Sequence, residues 1–376
     1  MNDALSALEQ HFGFDQFLPG QAEAVGHLLD GHSTAAVFPT GGGKSLCYQL
    51  PSLLLPGLTL VVSPLIALMK DQIDALRRRG IEAARLDSSL SLDEYREVME
   101  GVRSGSLRLL YVAPERFNNE RFRQAIEGID ISLFAVDEAH CISEWGHNFR
   151  PDYLKLAGFA REYGAERVLA LTATATPRVL DDICAGFDID AAHAVRTGFY
   201  RPNLELRTQP VRAGARDAAL LAAIGASEPG PTIVYVTLQR TAEDVADRLR
   251  AGGLDAHAYH AGMKDEDRAI VQDRFMASTS SIVVATIAFG MGVDKADIRY
   301  VYHYNLPKSL ENYAQEIGRA GRDGNRSVCH CLVCADDLTV LENFVYGDTP
   351  DDASVRALVD DVFARDPAFD VSLYDL

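Results

Sequence analysis

The sequence predicts an α/β protein of two tandem lobes, each a mainly parallel sheet flanked by helices, followed by a short acidic helical extension. Short β-branched or Leu-rich runs alternate with helical patterns along most of the 376 residues, and such alternation builds parallel sheets from βαβ units. The runs fall into two series separated by an extended stretch. A chain of this length also exceeds one ordinary domain and fits two.

In chain order, the first strands are expected at Ala35–Phe38, Leu58–Ser63, Leu107–Val112, Leu133–Val136 and Val168–Thr172, each a short run dominated by apolar residues. Helical patterns lie at Pro19–Leu29, Leu65–Arg79, Asp93–Arg103 and Pro177–Phe187. Gly198–Asn203 then reads as a linker. The second series runs Thr232–Val236, Asp255–Tyr259, Ser281–Thr286, Tyr300–Asn305 and Ser327–Val333, with a helix at Thr241–Ala251. The expected division is therefore 1–200, 201–335 and an extension at 336–376. The extension has helical patterns at Asp337–Phe344 and Ala353–Ala364, and its apolar finish reads as the threshold of a further domain.

Composition excludes some classes. The longest apolar stretch, Leu53 to Leu68, is broken by Pro56 and Pro64, short of the roughly 18 residues a membrane span needs. The first residues lack the basic-then-apolar pattern of a secretory signal. Six scattered cysteines fit reduced thiols and a cytoplasmic setting, such as a bacterial cytosol. A net charge of −18 weighs against a polyanionic partner. Half of that excess lies after Ala335, where eleven acidic residues face two basic ones, so the lobes themselves can still offer a basic path.

Three strings carry chemistry. Ala36-Val37-Phe38 runs into Pro39-Thr40-Gly41-Gly42-Gly43-Lys44-Ser45 and then a helix. Glycines let backbone N–H groups approach phosphates, and a helix N-terminus favours negative charge. Lys44 is placed for the β- and γ-phosphates and Ser45 for magnesium. Phe38 stands where the general pattern has its first glycine, so the match is to a relaxed form. Leu133–Val136 delivers Asp137-Glu138-Ala139-His140 at a strand end: Asp137 suits magnesium and Glu138 a general base. In the second lobe, Gln315–Gly324 places Arg319 and Arg322 three apart among small residues. A cation on the γ-phosphate helps phosphoryl transfer most in the transition state, and Arg322 is the first choice for it.

In this order the strings resemble superfamily 2 helicases, and specifically the RecQ family of DNA helicases, from about Phe12 to Gly324. The resemblance implies two RecA-like domains and ATP bound with magnesium between them, with Phe14, Gln21, Thr40, Gly41, Gly42, Gly43, Lys44, Ser45 and Asp294 around the nucleotide. Gln21 would read the base. Single-stranded and forked DNA is implied as partner, with 3′ to 5′ movement and unwinding in repair or recombination. Pro64, Lys70 and Thr286 belong to strings that look like DNA-contact motifs. The most discriminating string is Cys141–Pro151, similar to an aromatic-rich loop that senses single-stranded DNA. Trp145 and Phe149 there offer stacking faces, and His147 and Arg150 offer donors or charge. Leu18 and Tyr200 replace the family's usual Arg and Asp. Other readings are an RNA helicase of the DEAD or DEAH type and a nucleotide-switched translocase that does not unwind. Cys329 and Cys331 share one face of a strand without a nearby fourth cysteine, so no zinc is expected. The chain is expected to act as a monomer.

Overall fold

Strand β5 (Ile131–Val136) shows how the first sheet forms. All six of its residues are buried. Leu133 and Ala135 pack on one face with Leu169 and Leu171, and Phe134 and Val136 on the other with Val168 and Ala170. A parallel sheet covered by helices on both sides buries both faces of its strands. Fully burying one Leu or Phe contributes about 1.5–3 kcal/mol, so these alternating cores dominate the lobe's stability.

The computed structural model describes residues 1–64, 66–87, 90–143, 150–290, 293, 295–346 and 352–364. The first sheet contains β1 (Thr34–Val37), β2 (Leu58–Val62), β3 (Ala83–Leu86), β4 (Leu109–Val112), β5, β6 (Val168–Thr172) and β7 (Ala194–Arg196), in the order β3-β4-β2-β5-β6-β1-β7. The second contains β8 (Leu204–Pro210), β9 (Thr232–Tyr235), β10 (Ala256–Tyr259), β11 (Ile282–Ala285), β12 (Tyr300–His303) and β13 (Ser327–Val333), in the order β10-β11-β9-β12-β13-β8. Every described strand pairing is parallel. The segment 197–203 joins the two sheets without regular structure. None of the described helices is long and apolar enough to cross a membrane.

Strands β3, β7 and β8 were not among the sequence expectations. β3 is the short run Ala-Ala-Arg-Leu and β7 has three residues. β8 is an edge strand whose last five residues are exposed, so it lacks an apolar signal. The helix expected from Pro19 starts at Gln21, because Gly20 is left-handed at φ +81°. The helix Leu92–Ser104 owes its start to a capping box, in which Ser91 Oγ accepts from the Glu94 N–H and Glu94 Oε2 accepts from the Ser91 N–H. Gly105, at φ +71°, ends it.

Candidate active site

The carboxyl ends of β1, β5 and β6 lie side by side, which is where α/β sheets gather functional loops. After β1 the chain turns sharply through Pro39–Ser45 before the helix Leu46–Leu54. Gly41 and Gly43 have φ of +83° and +66°, a region most residues avoid. A Cβ on Gly43 would stand 2.4 Å from Gln21 Nε2, so glycine is needed twice over there. Gln21 is buried and spends both ends of its amide locally. Its Nε2 donates to the carbonyls of Gly43 (3.0 Å) and Gly42 (3.3 Å), while its Oε1 accepts from the Leu18 N–H at 2.9 Å. Phe14 is half exposed.

Beyond β5, Asp137 Oδ1 accepts from the Glu138 N–H at 3.0 Å, and Tyr153 Oη donates to the Asp137 carbonyl at 3.0 Å. His140 Nδ1 lies 2.9 Å from Thr172 Oγ1 at the end of β6 and 3.3 Å from Glu138 Oε2. Thr172 in turn donates to the Thr174 carbonyl. His140 Nδ1 therefore stands between the Glu138 carboxylate and the Thr172–Thr174 turn, hydrogen-bonded to Thr172 and in contact with Glu138.

The second lobe supplies the opposite wall. The helix Leu310–Ile317 is capped by Ser309, whose Oγ accepts from the Asn312 N–H. The chain then turns through Gly318–Gly324. Arg319 is buried and donates to the Gly290 carbonyl. Arg322 Cγ lies 3.4 Å from where a Cβ on Gly41 would stand. A Cβ on Gly318 would meet Thr40 Cβ at 2.6 Å, so glycine is what lets the two loops approach this closely. Between them lies a cleft of about 420 Å³ lined by Lys44, Ser45, Asp137, Glu138, Arg319 and Arg322 together with Tyr48, Gln72 and Gln315.

The charges in the cleft oppose one another. Burial pushes the Asp137 carboxyl well above the ordinary carboxylate range and adjacent Glu138 adds to this, while Lys44 pulls it back. Glu138 is likewise raised by burial, against Lys44, Arg319 and Arg150. Lys44 is lowered by burial, with Glu138 and Asp137 opposing. His140 is pushed down to about 4, first by burial and then by Lys44 and Arg150, so it is neutral at neutral pH. Two crowded, desolvated carboxylates beside a hydroxyl make a donor set that gains from a hard divalent cation. Ser45 and Asp137 fit magnesium in this respect. Among the described residues no group of three or more His, Cys, Asp or Glu is arranged to hold a metal by itself. Cys329, Cys331 and Cys334 are buried in or next to β13.

Other positions named from sequence distribute unevenly. Pro64 and Arg150 line a smaller cleft that also touches Glu138, His140 and Arg319. Lys70 is exposed on the helix Ile66–Arg77, and Thr286 is buried just after β11. Trp145, His147, Phe149 and Asp294 lie outside the described residues. Sequence reasoning missed Tyr153 and Tyr48, and it named Gln72 and Gln315 only as members of strings, without a place in this cleft. Gln315 had a signal, since it sits four residues before Arg319; Tyr153 had none.

Compared with known proteins, residues 18–183 match the DEAD/DEAH box helicase family and residues 215–324 the helicase conserved C-terminal domain. The ATP-dependent DNA helicase RecQ of Bacillus subtilis (strain 168) is 43% identical over 90% of this chain and 58% of its own length. The RecQ of Haemophilus influenzae is 44% identical over 85% of this chain and 51% of its own. The probable ATP-dependent DNA helicase RecS of Bacillus subtilis is 41% identical over 92% and 70% respectively. The chain thus spans about half the length of the RecQ relatives it matches. Among solved structures, S. cerevisiae Dbp5 bound to RNA and ADP BeF3 superposes with a TM-score of 0.70 at 18% identity, covering 96% of this chain and 97% of that one. The DUF1998 helicase MrfA bound to DNA gives 0.71 at 19%, covering 96% and 56%. At such identities the likeness is one of fold.

Proposed function

The chain belongs to the RecQ family of DEAD/DEAH box helicases, and from that premise we propose that it is the ATP-dependent motor core of a DNA helicase. The observation that carries this reading is the cleft in which Lys44, Asp137 and Glu138 from one lobe face Arg319 and Arg322 from the other. Residues 1–200 and 201–335 are taken as the two lobes.

ATP is the substrate of this cleft. The glycine loop cradles its phosphates and Lys44 balances their charge. Ser45 and Asp137 would hold magnesium, which would supply charge neutralisation to the phosphates. Glu138 accepts a proton from the attacking water. Arg322, with Arg319 beside it, stabilises the charge that develops on the transferred group. Gln21 reads the base after giving up its bonds to the loop. His140, set between Glu138 and Thr172, passes the state of the γ-phosphate to the neighbouring loops. Pro64, Lys70, Arg150 and Thr286 contact single-stranded DNA, with Trp145, Phe149 and His147 as the stacking and phosphate-binding part. Lobe closure on ATP and opening after hydrolysis move the monomer 3′ to 5′ along the strand.

Two measurements test this together: ATP hydrolysis with and without single-stranded DNA or RNA, and unwinding of a fluorescent forked duplex. DNA should stimulate turnover more than RNA, and Glu138→Ala should lower turnover by about a hundred- to ten-thousandfold. Stimulation by RNA alone points to an RNA helicase, and stimulation by DNA without unwinding to a translocase. Undiminished turnover by Glu138→Ala defeats the catalytic assignment.

A further inference from the structure

The linker string Arg201-Pro202-Asn203 has no part in the cleft chemistry above, yet its side chains reach both lobes. Arg201 donates through Nη2 to the carbonyls of Gly321 (2.6 Å) and Ala320 (3.1 Å), through Nη1 to the Thr40 carbonyl (3.5 Å), and through Nε to Asn203 Oδ1 (3.4 Å). Asn203 Nδ2 donates to the same Gly321 carbonyl at 2.8 Å and to that of Asn325 at 2.9 Å. Ala320 and Gly321 are the two residues between Arg319 and Arg322. Thr40 is the residue before Gly41 in the glycine loop.

We propose that Arg201 is a positioning residue that fixes the Gly318–Gly324 turn, and with it Arg322, against the glycine loop. The geometry gives the mechanism. Gly321 is left-handed at φ +54°, and a Cβ there would meet the Asn325 carbonyl at 2.7 Å, so the turn needs glycine at this point. Arg201 and Asn203 take up the Ala320 and Gly321 carbonyls from the linker side, so the arginine-bearing turn is held at its middle. The bonds to Ala320 and Gly321 are the shorter ones and make Arg201 part of the second lobe. The long contact to Thr40 is the one that yields as the lobes part, so it gauges closure. A guanidinium has the planar fork to span several carbonyls, whereas a lysine ammonium is a point donor.

This inference rests on Arg322 as the cation on the transferred phosphate, and the test separates the two. Steady-state ATP hydrolysis at saturating single-stranded DNA is measured for the wild type, Arg201→Ala, Arg201→Lys, Asn203→Ala, Arg322→Ala and the Arg201→Ala/Arg322→Ala double variant. Misplacing a catalytic group by about 1 Å can cost on the order of a hundredfold. Arg201→Ala is therefore expected to lose between about ten- and a hundredfold in kcat with little change in KM. Arg201→Lys should recover part of it. The double variant should be no slower than Arg322→Ala alone, because both changes remove one function. Wild-type turnover by Arg201→Ala, a rise in KM with kcat unchanged, or losses that multiply in the double variant each overturn the proposal. Should Arg201→Ala fail to fold, Asn203→Ala decides: a fall in kcat at an unchanged melting temperature supports it, and wild-type kcat overturns it. Full activity of Arg322→Ala instead overturns the finger assignment itself.

Discussion

Glu138 sits at φ +51°, one of two non-glycine residues in the left-handed region among those described. Such a backbone costs on the order of 1 kcal/mol and persists only where its surroundings impose it. Here β5 fixes the chain before it and the turn Ala139–Ile142 fixes the chain after it. Its neighbour His140 carries a pH consequence. The ring is held near a pKa of 4, below its ordinary value, by burial and then by Lys44 and Arg150. Between those two values the unfolded chain binds the proton and the folded one does not, so stability is full above about pH 6.5 and falls as pH drops. From pH 7 to 5.5 the wild type should lose about 1 kcal/mol relative to His140→Asn, a range that stays above the isoelectric region near 4.9. Urea titrations of both proteins across that range check it, and parallel pH curves would refute the neutral histidine. At this scale the sequence was informative, because glycines, Lys44, Asp137, Glu138 and the two arginines are specified by residue type and spacing. Tyr48 and Tyr153 were hidden, since a tyrosine declares a role only through what it touches.

One buried carboxylate at its start ties the helix Asp337–Tyr346 to the second lobe. Asp337 Oδ1 accepts from Arg216 Nη2 at 3.0 Å and Asn305 Nδ2 at 2.8 Å, and Oδ2 accepts from the Leu306 N–H at 2.9 Å. Arg216 also lies 5.0 Å from the Tyr304 ring centroid. Removing one partner of a buried pair strands the other and costs about 3–5 kcal/mol. Asp337→Ala should therefore lower the stability of the second lobe by about that much, read by chemical denaturation. Asp337→Asn should cost less, since it keeps one acceptor oxygen. A loss under about 1 kcal/mol for Asp337→Ala would mean that the extension is held by other contacts. Central strands were legible as elements because burial on both faces leaves unbroken apolar runs, as in β5 and β6, whereas the helices Pro151–Glu162 and Asp265–Ala277 were not among the expectations. Edge strand β8 was not, because solvent on its outer side permits Glu205, Arg207 and Gln209, and its pairing with β13 is a matter of tertiary packing.

Over the whole molecule, the division of the cleft between lobes predicts two kinds of dead enzyme. Lys44 and the glycine loop come from the first lobe together with Gln21, so on the proposed reading the ground-state phosphates are held mainly from that side. Arg322 enters from the far side, beside Gly41, and only because Gly318 lets its turn approach Thr40. That approach is invisible in either string alone; it depends on how two separately folded sheets meet. Lys44→Ala should accordingly lose both affinity for ATP and turnover. Arg322→Ala should keep affinity within about threefold while turnover falls at least about a thousandfold, the range a finger arginine supplies. Equilibrium binding of a fluorescent non-hydrolysable ATP analogue, set beside steady-state hydrolysis, separates the two. Equal loss of binding in both variants would mean that the lobes form one ground-state binding site. Retained binding with lost turnover would mean that the second lobe acts on the transition state.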